Sequence, residues 1–111
     1  MTEGRPAGRR AIVLRRSDYN GTELERIVRA NTLEIVYTVV TDTGPRLGVL
    51  IAVQHVLEHG TEVIVVPHLT LEEVRRERTW HTLTALADLV TASGVVPRGA
   101  YAVPRPDRGS G

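Results

Sequence analysis

The residues best suited to chemistry sit just after the first apolar run of the chain. Ala11-Ile12-Val13-Leu14 leads straight into Arg15-Arg16-Ser17, and an Asp18-Tyr19-Asn20-Gly21 turn follows. A buried strand ending at such a loop would set a hydroxyl beside two permanent cations. A serine attacking a phosphodiester passes through a state rich in negative charge on the equatorial oxygens. Guanidiniums stabilise that charge through paired, charge-assisted hydrogen bonds. The hydroxyl is a weak nucleophile, so it needs proton removal or a strongly cationic setting. Arg15, Arg16 and, further along, Arg46 are the candidates for that setting. The competing description of Ser17 is a turn residue or a cap for the loop that follows.

Other groups point to other chemistry. His55 and His59 are four residues apart on one expected helix, a spacing able to chelate a metal. Val56-Leu57-Glu58 lies between them with no evident third ligand. The pair is therefore expected to be partly exposed surface histidines, as is His81, and no metal or other cofactor is assigned. Ser17, His68 and Asp42 follow three different strands and could form a hydrolytic triad, although there is no Gly-x-Ser-x-Gly elbow. A nucleotide machine of the P-loop type is excluded: the chain has neither a Gly-rich phosphate motif nor any lysine.

The elements that must position these residues follow from patterning. Residues 11–15 read as a strand. Thr22-x-x-Glu25 has the form of a capping box and opens a helix over about 23–31, with Leu24, Ile27 and Val28 on one face. Leu33–Val40 is β-branched and almost continuously apolar, a second strand. Asp42-Thr43-Gly44-Pro45 breaks it, and Pro45 suits the first turn of the helix over 46–59. Leu47, Leu50, Ile51, Val53, Val56 and Leu57 run around most of that helix, so it is expected to be largely buried, with Gly60 as its cap. Glu62–Val66 is a third strand, ended by Pro67. Thr70-x-x-Glu73 is a second capping box. Arg75-Arg76-Glu77-Arg78 is expected to be a solvated helix face or a joint between helices. Trp80–Ser93 predicts a long helix on the stripe Leu83, Leu86, Ala87 and Val90, and Val95-Val96 and Tyr101-Ala102-Val103 are short candidate strands.

Strands apolar on both faces, alternating with helices, predict a three-layer α/β/α domain with a mostly parallel sheet of four to five strands. In such sheets functional loops lie at the carboxyl ends of the strands. That rule should bring Ser17, Asp42, Arg46 and His68 to one edge.

Composition sets further bounds. The chain has 111 residues and no cysteine, so it needs one domain, here 11–103, and has no disulfide framework. All fourteen cations are arginine. Residues 1–10 and 97–111 hold six of them against two acids, whereas 11–96 holds eight against eleven. Residues 1–10 and 104–111 are expected to be disordered basic tails able to add weak, salt-sensitive affinity for phosphate. A mildly acidic body is not the footprint of a strong nucleic-acid binder. No apolar run is long enough to span a membrane, and the charged start lacks a signal-peptide core, so the expected location is the cytoplasm.

In combination these motifs resemble the catalytic domain of resolvase/invertase-type serine recombinases over about residues 11–96. The likeness rests on Leu14-Arg15-Arg16-Ser17 at the end of the first strand and on Pro45-Arg46-Leu47-Gly48-Val49 at the start of the long helix. It extends to Leu57-Glu58-His59-Gly60-Thr61-Glu62-Val63-Ile64-Val65-Val66, and to Ala92-Ser93-Gly94-Val95 as the end of a late helix. The resemblance implies a resolvase-like fold, Ser17 as a nucleophile that bonds to DNA phosphate, and Arg15 and Arg46 as contacts to that phosphate. The chain departs from the family in two places. Gly21 stands where the family has a glutamine, and Val66-Pro67-His68-Leu69 stands where it has an Asp-Arg pair with a further arginine nearby. The resemblance therefore implies a stand-alone, catalytically impaired recombinase-like module for DNA recombination or regulation. The alternative is an active strand-transfer enzyme whose partner supplies DNA binding. Expected partners are DNA, held weakly by the tails and strand-end loops, and a second copy or another protein.

Overall fold

A computed structural model describes residues 8–42 and 45–101. In chain order the elements are β1 (Arg9–Arg15), α1 (Glu23–Asn31), β2 (Leu33–Val40), α2 (Pro45–His59), β3 (Val63–Val66), α3 (Leu71–Arg76), α4 (Thr79–Thr84), β4 (Asp88–Thr91) and β5 (Val95–Val96). One five-stranded sheet has the order β2-β1-β3-β4-β5. The first four strands are parallel and β5 pairs antiparallel with β4.

Side chains alternate along each strand, so the continuous apolar runs feed two cores. Ile12, Leu14, Ile64, Val66 and Leu89 point to one face, where they pack with Val49, Ala52 and Val56 of α2, Val74 of α3, and Trp80 and Leu83 of α4. Ala11, Val13, Val63, Val65 and Val90 point to the other face and meet Ile27 of α1. The predicted helical cover on both faces is present, but it is uneven: among the described residues α1 alone lies on one side. The sheet also has a switch in connection between β1 and β3. The chain leaves β1 through α1 to β2 on one side, then returns through α2 to β3 on the other. Crevices open at the carboxyl ends of strands at such points.

Several expectations need correction. Arg9 and Arg10, expected in a disordered tail, belong to β1. Arg9 also ties the strand down through Asp88, at 2.6 Å, and Glu62, at 3.2 Å. Residues 1–7 and 102–111 lie outside the described residues, which takes in the rest of both expected tails and most of the last candidate strand at 101–103; Tyr101 itself is in a turn. The capping box at Thr22 does not form. Tyr19 takes its place: its hydroxyl accepts from the Leu24 N–H at 2.9 Å and donates to Glu23. The box at Thr70 forms in full with Glu73.

The long helix over 80–93 is wrong. The helix ends at Thr84 and the chain re-enters the sheet as β4, with Leu89, Val90 and Thr91 all buried. A short apolar run fits a buried strand and a helix face equally well. Pairing with β3 along Val63–Val66 decides between them. Ala92-Ser93-Gly94, expected as a helix end, is instead the turn of the β4–β5 hairpin. It is held by Thr91 Oγ1, which donates to the Gly94 carbonyl and accepts from the Ser93 and Gly94 N–H groups.

Helix α2 is not buried all round either. Leu47, Leu50 and Leu57 are 48%, 64% and 68% exposed, and they form one stripe facing away from the sheet. Among the described residues no helix is long and apolar enough to cross a membrane.

Candidate functional site

The crevice at the β1/β3 switch is a cleft of about 530 Å³, lined by Arg15 and Arg16 after β1, His68 after β3, Gly48 of α2, Glu73 and Arg76 of α3, and Trp80 of α4, among others. Strand β1 delivers Arg15 at its last position because Leu14 must stay in the core. Pro67, which is buried, turns the chain out of β3 and leaves His68 exposed at the cleft wall.

Ser17 is held from the neighbouring strand end. Its hydroxyl donates to Asp42 Oδ2 at 2.7 Å, and its backbone N–H donates to Asp42 Oδ1 at 2.9 Å. Both bonds favour the ionised carboxyl, so Asp42 is pulled below its ordinary range, first by the Ser17 hydroxyl and then by its N–H. The predicted convergence of the β1 and β2 ends is therefore real at Ser17 and Asp42. A hydrolytic triad is not: the serine hydroxyl meets the carboxylate directly, where a triad requires an imidazole between them.

One of the cations is already paired with a carboxylate. Arg15 donates to the Arg16 carbonyl at 3.0 Å. Arg16 pairs with Asp18 at 3.2 Å, which raises its own affinity for a proton and lowers that of Asp18. Arg46 stands exposed in the first turn of α2 and, like Ser17, lies outside the lining of the cleft. His68 adds no fixed charge: partial burial and then the field of Arg16 push it below the ordinary histidine value. Around this strand end the guanidiniums of Arg15, Arg16 and Arg76 face the carboxylates of Asp18, Asp42, Glu73 and Glu77. The site can hold a hydroxyl in a fixed orientation with a carboxylate as proton acceptor. It offers little net positive charge to a phosphodiester.

Sequence reasoning missed the walls contributed by Glu73, Arg76, Glu77 and Trp80. The apolar stripe predicts a single long helix at Trp80, and the charged run before it predicts a solvated face or a joint. The joint is the correct half of that reading, since α3 and α4 meet there and turn their ends to the cleft.

His81 is partly exposed, as expected, but held: its Nε2 lies 2.7 Å from the Val74 carbonyl, and its ring stacks on Tyr101 at 3.7 Å and 3°. His55 and His59 both stack with Tyr37 of β2. Compared with known proteins, the chain matches no family model and no curated sequence.

Proposed function

We propose that this chain is a resolvase-like α/β module that acts by binding, as a recombination-associated or regulatory interaction domain, and that its strand-end site is catalytically impaired. One observation carries the reading: the end of β3 brings His68, and no arginine, to the cleft, and the helices behind it bring Glu73 and Glu77 beside Arg76. Cleavage by a serine needs concentrated positive charge around the reacting phosphorus. Here carboxylates offset the guanidiniums, and Arg16 is already paired. The exposed Leu47, Leu50 and Leu57 of α2 give such a module an apolar surface for a protein partner or a second copy.

A second reading draws on the 2.7 Å bond from Ser17 to Asp42. A carboxylate in that position can take the hydroxyl proton during attack. On that reading the chain is an active recombinase whose partner supplies DNA binding.

Incubation with supercoiled DNA, followed by denaturing electrophoresis, separates the two. The binding module yields no covalent protein–DNA species with wild type or with Ser17→Ala. A covalent species formed by wild type and lost in Ser17→Ala would overturn the proposal in favour of the second reading.

A further inference from the structure

We infer that the last turn of α2 is a binding site for a zinc-class divalent transition metal, with His55, Glu58 and His59 as its ligands. These residues occupy positions i, i+3 and i+4 and therefore share one helix face. One potential ligand atom from each lies within 4.8 Å of the other two. The sequence spacing alone suggested only the two histidines. The structure adds the carboxylate between them.

The strongest indication is an unsatisfied atom. His55 Nδ1 is buried and has no hydrogen-bond partner. Its nearest acidic neighbour, Glu58 Oε1, is 3.7 Å away, beyond hydrogen-bonding range. Buried polar atoms nearly always have partners, and an orphan calls for a physical reason. A metal ion is such a reason. Ligands at zinc–nitrogen and zinc–oxygen bond lengths of about 2.0–2.1 Å stand about 3.3 Å apart in a tetrahedron. The 3.7 Å pair needs only a small closing movement, and the Glu58 side chain is 54% exposed and, among the described residues, held by nothing tighter than a 3.5 Å hydrogen bond from Gln54 Nε2 to its other oxygen.

The surroundings fit. Tyr37 projects from β2 and stacks on His55 at 4.2 Å and on His59 at 5.4 Å, so one ring from the sheet fixes the planes of both imidazoles. The two imidazoles are themselves within 14° of parallel. The carboxyl end of a helix carries the negative pole of its dipole and favours a cation. Arg10 is the competing charge there: it donates to the His59 carbonyl at 3.0 Å and keeps its positive charge, against which the site sets the Glu58 carboxylate. Two imidazoles and one carboxylate suit zinc, cobalt, nickel or copper better than calcium or magnesium, which prefer all-oxygen shells. Three protein ligands leave a fourth position open to water or to a donor from another molecule. This site lies at the opposite end of α2 from the Ser17 loop, so the inference does not depend on the proposed function.

The test uses untagged full-length protein stripped with chelator. Titration with Co²⁺ is expected to give the visible absorption of a four-coordinate centre, saturating at one ion per chain and displaced by Zn²⁺. Zn²⁺ is expected to raise the melting temperature of the wild type. His55→Ala and His59→Ala should each weaken binding by about 100-fold or more, and the exposed Glu58→Gln by about tenfold. His68→Ala, at the cleft bordered by the amino end of α2, should bind as the wild type does. Circular dichroism of Glu58→Gln checks that the fold is intact, so its loss of affinity reads on the ligand and not on folding. The inference is overturned if no saturable Co²⁺ spectrum appears. It is also overturned if Glu58→Gln and His59→Ala, both folded, bind as tightly as the wild type.

Discussion

At its amino end α2 borders the β1/β3 cleft through Gly48, and at its carboxyl end it carries His55, Glu58 and His59. Around the first end the polar groups have answered one another. Ser17 is bound by Asp42, Arg16 by Asp18, and Arg15 by a backbone carbonyl. At the second end a buried imidazole nitrogen has no hydrogen-bond partner. The group that looks armed in the sequence is internally satisfied, whereas the group that looks bland has unspent bonding capacity. Residue type alone is thus a poor guide to reactivity. What counts is whether the tertiary structure has already used the group.

Three perturbations sharpen this contrast. Trp80→Ala removes a cleft wall that is only 7% exposed and packs in the larger core. It is expected to cost about 3–5 kcal/mol in chemical denaturation. Co²⁺ binding by the folded fraction should be unchanged. A matching loss of metal affinity would show that the two ends of α2 are coupled, contrary to their separation here.

Gly48→Ala acts in the opposite direction. A methyl group at this position would lie 3.5 Å from Thr41 Cγ2 and 3.7 Å from Leu14 Cδ2, both ordinary contacts. Replacing an interior helical glycine should therefore stabilise the fold by about 1 kcal/mol while narrowing the cleft. A destabilised Gly48→Ala, measured by the same denaturation, would mean that α2 sits closer to β1 than these distances allow.

The smallest effect concerns the pairing of Arg9 with Asp88. Burial raises the Asp88 carboxyl, but the hydrogen bonds from Arg9 and from the Arg98 N–H outweigh it and leave the group below its ordinary 3.8. A carboxyl lowered in the folded state stabilises the fold above its unfolded value, and that contribution disappears as the pH falls through the folded value. Arg9→Gln should therefore lower stability by up to about 1 kcal/mol at neutral pH, since the pair is half-exposed. The deficit should fade below pH 3.8. A deficit that persists unchanged into acid would assign the role of Arg9 to packing along β1.

Much of the fold was legible because it is written locally. The continuous apolar runs at 11–14, 33–40 and 63–66 announce strands buried on both faces, and breakers at Asn20-Gly21, Gly60 and Pro67 bound them. The bounds of α1 and β2 agree with the patterning residue for residue. The site was legible only in part. The rule that strand ends converge brought Asp42 toward Ser17, but nothing local says that a residue 25 positions away takes the serine hydroxyl.

From its sequence alone this protein is a parallel, helix-covered sheet with a serine and two arginines at the first strand end. Side-chain periodicity and turn chemistry act over a few residues and suffice for that much. Tertiary structure alone decided the rest. It made Leu89-Val90-Thr91 a strand, because β3 offers an edge for that run to pair with. It left Leu47, Leu50 and Leu57 exposed, because the sheet covers only one side of α2. It also closed Ser17 onto Asp42 while leaving His55 Nδ1 unpartnered. Each of these depends on which distant group arrives at a given point in space, and local pattern carries no record of that.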